Sequence, residues 1–426
     1  METIKATVLI DSNNFYAACE QNIDPSISGR PVVVLSNNDG CIVARSSEAR
    51  SLGIKMGQPY FTVHHELKAL GVVVRSSNYA LYGDMSQRLM SLLENHCKQL
   101  EIYSIDEAFA QINRPPDYDL RPWARRIRAL VHKNLGLPIS IGIGSSKGQA
   151  KLANYLAKTI STYSGIFDLH INKDQEFCLK NIDIENIWGI GPQRAKWCRT
   201  RGINTAQQLR DMPSNELRSK LGVIGIQLQQ ELRGEICLPI RIIPPKKKQT
   251  CVSGSFGRPI TNLGELRQAI SNHVIRAGEK LRKQNQRAGA ITVFTRTSSF
   301  SQSFYKQSKT KQLDTPSNDT TILLKEALTL TKQIFQPYCL LIKAGVIIQK
   351  LQNTSHLQPN FLGQQSSHEL QRSEELMQAI DRLNKHYGRG TISWAICVSN
   401  QSWSMRCEQL SCSKTTQVNN LPIVYS

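Results

Sequence analysis

The sequence has no long uninterrupted run of apolar residues and no closely spaced pair of cysteines. Its most apolar-looking segment, LLIKAGVII, contains Lys343, whereas a membrane-spanning helix needs about 18 or more predominantly apolar residues. The 11 cysteines are scattered and form no C-x-x-C pair, so the pattern indicates neither a zinc module nor a disulfide scaffold. These absences predict a chain without a transmembrane helix whose thiols stay reduced in the cytoplasm.

Acidic residues are also scarce. The chain carries 33 Asp+Glu against 53 Lys+Arg, which gives a net charge of +20. Residues 241–311 contain 15 Lys/Arg and only the acids Glu265 and Glu279, and so contribute +13 of that total. Such a concentration of positive charge indicates a polyanionic partner, although a basic surface that serves only solubility is the alternative.

The length of 426 residues and the 40% hydrophobic content predict a multidomain α/β (α+β) protein of about three or four domains. Strand-like and helix-like segments alternate over 1–170, which is typical of an α/β unit. The segments that follow are predicted as short helices near 181–240, a linker at 241–250 (RIIPPKKKQT), a strand–helix–strand–helix–strand order over 251–350, and one helix with short strand-like runs in 370–426.

Three carboxylates lie at the ends of predicted strands. Asp11 ends the apolar run KATVLID, and Asp106 and Glu107 lie between two other apolar runs. Acids that meet at one sheet edge would suit two divalent metal ions, which can stabilise both oxygens of an in-line phosphoryl displacement. Their positions alone also fit helix caps or surface ion pairs.

Cations and a glycine turn accompany these acids. Arg50 and Lys158 could bind a triphosphate, although each could equally be a solvated surface charge. The turn formed by Gly189 and Gly191 opens a helix whose free N–H groups could hold a DNA phosphate, with Arg194 and Lys196 nearby. The alternative is an ordinary packing corner between two helices.

Several motifs together resemble the Y-family, or lesion-bypass, DNA polymerases. They are IDSNNFYAACE, VVVLSNNDGCIVARSSEARSLGIKMG, SSNYALYGDMS, EIYSIDEAF and IGIGSSKGQAKLAN. The motifs SNNDGC, KMG, SSNY, IWGIG, ELRGE and GRGT are typical of the UmuC branch, to which the catalytic subunit of DNA polymerase V belongs. The resemblance extends from about residue 5 to about residue 410 and keeps the motif order.

The resemblance implies roles for individual residues. The catalytic, metal-binding acids are Asp11, Asp106 and Glu107, and the carbonyl of Ser12 completes the shell of one of two Mg²⁺ ions. Tyr16 is the steric gate, which rejects a 2′-OH by its shape. The incoming nucleotide is bound by Phe15, Tyr16, Ala44, Arg45, Arg50 and Lys158. Ile42 and Val43, with Ala44, cover the nascent base pair.

The sequence departs from the family pattern in the triphosphate site. Many members place Thr and Tyr where this chain has Ala44 and Ser47. We expect Arg45 to substitute for them, so that Arg45→Ala raises the nucleotide KM several-fold; an unchanged KM would contradict this hypothesis.

The implied architecture is a right hand. The palm comprises 1–14 and 79–170, the fingers 15–78, the helix-hairpin-helix thumb 171–240, the linker 241–250, the little finger 251–350, a flexible linker 351–369 and the UmuC-type C-terminal region 370–426. The predicted DNA-binding residues are Gly189, Gly191, Arg194, Lys196, Lys246, Lys247, Lys248, Arg267, Arg276, Lys280, Arg282, Lys283 and Arg296.

The predicted activity is error-prone, template-directed translesion synthesis on primer–template DNA from dNTPs, without a proofreading exonuclease, in the cytoplasm at the nucleoid. Gln358, Phe361 and Leu362 resemble a sliding-clamp motif with an altered residue order, and a plain linker is the alternative. The resemblance also implies a processed UmuD-type dimer and a RecA filament as partners. A non-catalytic DNA-binding scaffold and a nucleotide cyclase are the rival interpretations.

Overall fold

The chain divides into two compact units. The structure is a computed structural model that describes residues 4–115, 118–170, 175–299, 301, 304–354, 367–397 and 402–412. Among these, unit 1 holds the described residues of Met1–Ser36, Gly40–Pro244 and Gln409–Ser426, and unit 2 those of Asn37–Asp39 and Pro245–Glu408. No helix in the described residues is both long and apolar enough to cross a membrane.

Unit 1 contains a five-stranded sheet, a three-stranded sheet and the helices around them. Its strands are β1 (Ile4–Ser12), β2 (Val32–Leu35), β3 (Ile42–Arg45), β4 (Val73–Ser76), β5 (Leu100–Ile102), β6 (Glu107–Arg114), β7 (Ile139–Gly144) and β8 (Ile166–Asp168). Its helices are α1 (Phe15–Ile23), α2 (Ser47–Ser51), α3 (Tyr60–Ala69), α4 (Tyr79–Glu94), α5 (Arg121–Leu135), α6 (Lys147–Thr159), α7 (Gln175–Asn181), α8 (Pro192–Arg199), α9 (Ala206–Asp211) and α10 (Ser214–Arg233).

The larger sheet has the strand order β5-β6-β1-β7-β8, with β1 antiparallel to both neighbours. Side chains alternate between the two faces of a strand. Ala6, Val8 and Ile10 therefore join the core formed with α4 and α5, while Leu9 packs against Phe109 and Ala150 on the α6 side. The same alternation turns Asp11, two residues after Leu9, toward α6.

Glycines in β7 allow α6 to lie close against the sheet. A Cβ on Gly142 would lie 2.2 Å from the backbone nitrogen of Asn154 and 2.3 Å from the carbonyl oxygen of Ala150. Only a residue without a side chain permits this approach. The motif IGIGSS therefore brings the side chains of α6 within reach of the strand ends.

The smaller sheet, in the order β3-β2-β4, is packed around the apolar strand VVVL. The chain enters α1 from β1 through Asn14, whose φ of 51° is left-handed, a conformation that Asn tolerates better than most residues. This sharp turn places Phe15 and Tyr16 only a few residues after the acid of β1.

The helices α7 to α10 surround a separate apolar core that also includes α6. Glu231 of the ELRGE motif is buried, and its carboxylate accepts bonds from the backbone nitrogens of Gly148 (2.8 Å), Cys237 (2.8 Å) and Leu238 (2.9 Å). The buried carboxylate is stable there because one backbone donor at the α6 N-terminus and two in the segment after α10 satisfy it. The ELRGE motif thus anchors α10 to α6.

Unit 2 is built on a sheet in the order β11-β10-β12-β9, with β13 paired to β10. Its core lies between one sheet face and two of its helices. The elements are β9 (Thr250–Ile260), α11 (Leu263–Lys283), β10 (Gln286–Arg296), β11 (Lys306–Ser317), α12 (Thr320–Ile334), β12 (Leu341–Gln349), β13 (Gln352–Asn353) and α13 (Ser367–Tyr387).

One prediction for this part of the chain was wrong. The expected single strand between the helices of 251–350 is a pair, because β11 follows β10. The sequence of β11, KQSKTKQLDTPS, is polar on both faces and exposed along most of its length, so it has no apolar alternation.

Short strand-like runs were also expected after α13. The described residues 388–397 and 402–412 contain no strand, and 398–401 and 413–426 lie outside the described residues.

The chain after α12 packs onto α11. Asp381 of α13 pairs with Arg282 at 2.7 Å, and Glu374 pairs with Arg287. Farther along, the indole nitrogen of Trp403 donates to the side chain of Gln268 at 3.0 Å. α13 therefore contacts both α11, through Arg282, and the start of β10, through Arg287, and the Trp403 segment contacts α11.

Candidate active site and nucleic-acid interface

Asp11 and Glu107 lie directly opposite each other on the neighbouring strands β1 and β6. Asp106 precedes Glu107, and its carbonyl accepts a bond from the Ser12 nitrogen at 2.9 Å. The hydroxyl of Ser104 donates to the Asp106 carboxylate at 2.5 Å. The sheet register therefore brings the three predicted acids and Ser12 to one edge of the sheet.

Lysines on one face of α6 meet the acids of the sheet. Lys158 Nζ lies 2.5 Å from Asp11 Oδ1, Lys151 Nζ 2.7 Å from Glu107 Oε2, and Lys147 Nζ 2.6 Å from Glu101 Oε2. Residues spaced by four and seven positions share one side of a helix. Each acid on this face of the sheet thus has a cationic neighbour supplied by the same helix.

Lys151 and Lys147 were not predicted from the sequence to belong to the site. Lys151 Nζ lies 4.9 Å from the ring centre of Tyr103 and 5.9 Å from those of Phe109 and Trp188. Aromatic faces attract a cation and hold it in place. The available signal was the spacing of Lys147, Lys151 and Lys158, which repeats helical turns.

The two facing carboxylates titrate differently. Burial, together with the neighbouring Glu107, raises the pKa of Asp11 to about 7, although Lys158 opposes the shift. Burial also acts to raise the pKa of Glu107, but hydrogen bonds with Asp11 and Lys151 outweigh it and lower that pKa below its ordinary value. When the two carboxylates together bind one proton, that proton therefore lies mainly on Asp11.

The donor types at this edge fit a hard divalent cation. Carboxylate and carbonyl oxygens are the ligands that Mg²⁺ prefers. Burial is the main cause of the raised pKa of Asp11, and Lys158 offsets it only in part. Within the described ranges, no group of three His, Cys, Asp or Glu side chains is arranged to hold a metal ion. The acids are instead engaged by Lys158 and Lys151.

Tyr16, which follows Asp11 closely in the sequence, lies in a cluster of aromatic side chains. Its ring stacks on Tyr82 with centres 4.3 Å apart and an interplanar angle of 13°, and it meets the edge of Tyr79 at 6.4 Å. Tyr82 is fully buried and Tyr16 is half-buried. The stacked neighbour restricts the orientation of the Tyr16 ring, as a gate that acts by shape requires.

The other predicted nucleotide contacts occupy distinct positions. Ile42 and Ala44 are buried in β3, and Val43 between them is half-buried. The guanidinium of Arg45 donates to the Ile54 carbonyl. Arg50 is exposed in the last turn of α2, whereas Phe15 is buried in the core of unit 1.

The predicted glycine turn opens α8. Gly189 has a φ of 90°, and Gly191 is the residue at the N-cap. Arg194 donates to the Gly189 carbonyl at 2.7 Å and Lys196 is exposed. The turn has the conformation that the Gly-x-Gly spacing predicted, and Arg194 braces it from within.

A row of three cations crosses the sheet of unit 2. In β10, Ile291 and Val293 face the helices, so the alternate residues, including Arg296, lie on the opposite face. Arg296 is directly opposite Lys306 of β11 on one side and Lys343 of β12 on the other. Like charges placed directly across strands repel. We call Lys306, Arg296 and Lys343 the basic row.

The predicted cations of α11 divide into two groups. Arg282 donates to Asp381 and to the carbonyl of Asn318, so its guanidinium is turned inward. The cations that remain exposed are Arg267, Arg276, Lys280 and Lys283 on α11 and Lys246, Lys247 and Lys248 before β9. Gln358, Phe361 and Leu362 lie outside the described residues.

The chain matches three family models. Residues 10–155 match the impB/mucB/samB family, residues 247–361 match the impB/mucB/samB family C-terminal domain, and residues 374–424 match a domain of unknown function, DUF4113. Together the first two matches cover more than half of the sequence.

Curated relatives and solved structures agree with these matches. The chain is 38% identical to Protein UmuC of Salmonella typhimurium over 97% of its own length and 98% of that protein. It is 37% identical to Protein SamB of Salmonella typhimurium with the same coverage. A Y-family DNA polymerase chimera of Dbh and Dpo4 shares the fold at 20% identity, with a TM-score of 0.65 over 82% of this chain and 99% of that one.

The motifs quoted from the sequence, the acids at the sheet edge and these similarities lead to one assignment. The chain belongs to the impB/mucB/samB family and is a UmuC-type translesion DNA polymerase of the Y-family.

Proposed function

We propose that the edge formed by Asp11, Asp106 and Glu107 performs the nucleotidyl transfer of this polymerase. The primer 3′-OH attacks the α-phosphorus of a dNTP, a new P–O bond forms, the bond between the α- and β-phosphates breaks, and pyrophosphate leaves. The observation that carries the proposal is the direct opposition of Asp11 and Glu107 across β1 and β6, beside a helix that supplies Lys158 and Lys151.

Asp11, Asp106, Glu107 and the Ser12 carbonyl would hold two Mg²⁺ ions. When bound, these ions supply Lewis-acid stabilisation of the attacking oxygen and of the negative charge on the triphosphate. Lys158, next to Asp11, and Arg50, at the end of α2, would bind the triphosphate as fixed positive charges. Lys151, held by Glu107 and by the aromatic rings around it, keeps that carboxylate ionised.

Tyr16 would select the sugar of the nucleotide. Its ring is restricted by the stack on Tyr82, so a 2′-OH would meet a surface that cannot easily move aside. Ile42, Val43 and Ala44 would cover the base pair; their short or aliphatic side chains would accept distorted bases. Arg45 would contribute through its positive charge near the Ile54 loop.

Duplex DNA would bind to unit 2 through the basic row and to unit 1 through the Gly189–Gly191 turn. The basic row is half-exposed to exposed, and the Nε atom of Arg296 is buried without a hydrogen-bond partner. Phosphate contacts would offset the repulsion among these cations and give binding independent of sequence. The exposed cations of α11 and of 246–248 would add to the attraction.

We propose a processed UmuD-type dimer, a RecA filament and a sliding clamp as protein partners. The similarity to Protein UmuC over nearly the whole chain supports the first two, and the residues Gln358, Phe361 and Leu362 support the clamp. Deleting 358–362 should abolish clamp-stimulated synthesis and spare distributive synthesis; undiminished stimulation would contradict the clamp proposal.

Primer extension with Mg²⁺ and dNTPs past a template abasic site tests the central proposal. The native chain is compared with the double variant Asp106→Ala/Glu107→Ala, each with and without UmuD-type and RecA-type partners. We expect extension by the native chain only. A native chain that binds DNA but does not extend a primer under any condition would instead support a scaffold role.

A further inference from the structure

The segment Gln409–Ser411 contacts the end of β4 and the side chain of Glu20 in α1. The carbonyl of Gln409 accepts from the Ser76 nitrogen at 2.9 Å, and the Gln409 nitrogen donates to the Ser76 hydroxyl at 3.0 Å. Ser76 ends β4, which is an edge strand of the three-stranded sheet. One backbone–backbone bond and one bond to the Ser76 hydroxyl therefore hold the segment against the edge strand β4, and this contact fixes where Ser411 lies.

Ser411 continues into a chain of hydrogen bonds. Its hydroxyl donates to Glu20 Oε1 at 3.2 Å and accepts from the Asn78 side-chain nitrogen at 3.0 Å. The same Glu20 oxygen accepts from the Tyr82 hydroxyl at 2.7 Å. Tyr82 in turn is the ring on which Tyr16 stacks. Three side chains thus connect the C-terminal segment to the gate.

The position of Glu20 makes this chain sensitive to each donor. Glu20 is fully buried, its second oxygen Oε2 has no hydrogen-bond partner, and the nearest cation, Arg75, is 4.0 Å away. A buried carboxylate with few donors depends strongly on those it has. Loss of the Ser411 hydroxyl would leave Tyr82 as the main donor, and the Tyr82 ring would shift or loosen with it.

We infer that Ser411 is a positioning residue for sugar selection, which acts through Glu20 and Tyr82 to hold the orientation of Tyr16. The inference rests on the proposed role of Tyr16 as the steric gate. It assigns to part of residues 374–424, which match a domain of unknown function, a contribution to choosing deoxyribonucleotides over ribonucleotides. Ser411 would act through Glu20, Tyr82 and Tyr16, without itself contacting the nucleotide.

The test is the ratio of kcat/KM for a dNTP to that for the matching rNTP, measured by single-nucleotide incorporation with the full chain. Ser411→Ala should lower this ratio about three- to tenfold, which is the contribution of one hydrogen bond of ordinary strength. Ser411→Thr keeps a hydroxyl and should retain the native ratio. The matched control Ser404→Ala removes an exposed hydroxyl of the preceding segment and should leave the ratio unchanged.

One further variant, Tyr16→Ala, distinguishes failure of the gate from failure of the role of Ser411. Tyr16→Ala should lower the ratio much more than Ser411→Ala; if it leaves the ratio unchanged, the gate itself is refuted. If Tyr16→Ala lowers the ratio and Ser411→Ala does not, the role of Ser411 is refuted alone. An equal loss of both kcat/KM values in Ser411→Ala would also refute it, because a purely structural defect affects both sugars.

A double-mutant cycle tests whether Ser411 acts through Glu20. Glu20→Gln should lower the ratio, and the variant Ser411→Ala/Glu20→Gln should lie within about twofold of Glu20→Gln alone, because the two residues act in series. Multiplied effects of the two changes would contradict the proposed path through Glu20.

Discussion

The two units treat charge in opposite ways. In unit 1 the acids Asp11, Glu107 and Glu101 each meet a lysine of α6. Another pair, Arg114 and Asp168, is buried with 3.2 Å between its charged atoms. In unit 2 the basic row places three cations side by side across the sheet. A charged side chain that is paired with an opposite charge can be buried within a site. A cation without such a pair remains at the surface, where it can bind a ligand of opposite charge.

The difference indicates what each unit needs from its ligands. The acids of unit 1 already have cationic neighbours, so incoming metal ions and nucleotide must replace those contacts with better-placed ones. Some cations of unit 2, such as Arg282, already pair with an acid, whereas the basic row would gain its counter-charge from a bound polyanion. Affinity for DNA should therefore depend on salt mainly through unit 2, and chemistry should depend on the acids of unit 1.

The largest expected effect is on the chemistry. Asp106→Asn should lower kcat by about a thousandfold, since a removed charge at a reacting centre costs about this much, while affinity for primer–template DNA stays within about twofold. Single-turnover incorporation and fluorescence anisotropy measure the two quantities. Asp119→Asn, which changes an exposed acid paired with Arg121, is the control and should be silent. A comparable loss of DNA affinity in Asp106→Asn would contradict the assignment of chemistry to the acids of unit 1 and of DNA affinity mainly to unit 2.

The next effect concerns the buried ion pair of unit 1. Asp168→Ala leaves the Arg114 guanidinium buried without its counter-ion, so the free energy of unfolding should fall by roughly 3–5 kcal/mol. Asp119→Ala breaks an exposed pair and should cost less than about 1 kcal/mol. Urea denaturation followed by circular dichroism compares the two variants. Equal losses would show that burial does not distinguish these pairs.

A buried histidine gives unit 2 a predicted pH dependence. Burial, assisted by Arg276, lowers the pKa of His273 to about 4 from its ordinary 6.5, and neither ring nitrogen has a hydrogen-bond partner. The unfolded chain binds this proton near pH 6.5 and the folded chain only near pH 4, so stability is lost as the pH falls through this window.

The loss should reach about 3 kcal/mol, since one pKa unit corresponds to about 1.4 kcal/mol. Denaturant unfolding of unit 2 at several pH values measures it. His273→Gln should flatten the dependence between pH 6.5 and pH 4, whereas His386→Gln, which changes an exposed histidine, should preserve it. A dependence that survives in His273→Gln would assign the titration to another group.

The smallest effect concerns the basic row. Lys306→Ala/Lys343→Ala should weaken binding to duplex DNA about tenfold near physiological salt and reduce the slope of log K against log salt by about 1.8, which is about 0.9 for each lost phosphate contact. Lys325→Ala/Lys332→Ala removes two exposed lysines of α12, on the helix-covered side of the sheet, and should change neither quantity. Equal effects in both variants would mean that DNA is attracted by total charge and not by the row.

The site acids were predictable because their signal is local. A carboxylate at the end of an apolar strand is conspicuous in the sequence, and the motifs around Asp11 and Asp106 are specific. Lys151 and Lys147 were missed although the spacing of Lys147, Lys151 and Lys158 was visible, because an amphipathic spacing of lysines is also typical of a solvated helix face. Only the close packing of α6 on Gly142 shows that this face meets the sheet.

β11 and the orientation of Arg282, by contrast, could not be predicted from the sequence. An edge strand that is polar on both faces has no alternation to detect, and its pairing with β10 is a long-range event. Arg282 and its exposed neighbour Lys283 are alike as sequence letters. They differ because Asp381, 99 residues away from Arg282, lies against one of them.

The family motifs, the strand ends that carry the acids, the tyrosine after the first strand and the uneven distribution of positive charge could all be read from the sequence, because each depends on residues close together in the chain. The fold was needed to show which lysine pairs with which acid, which cations of unit 2 stay exposed, and that Ser411 contacts Glu20. These are contacts between residues distant in sequence, and their partners are set by strand register and by helix packing.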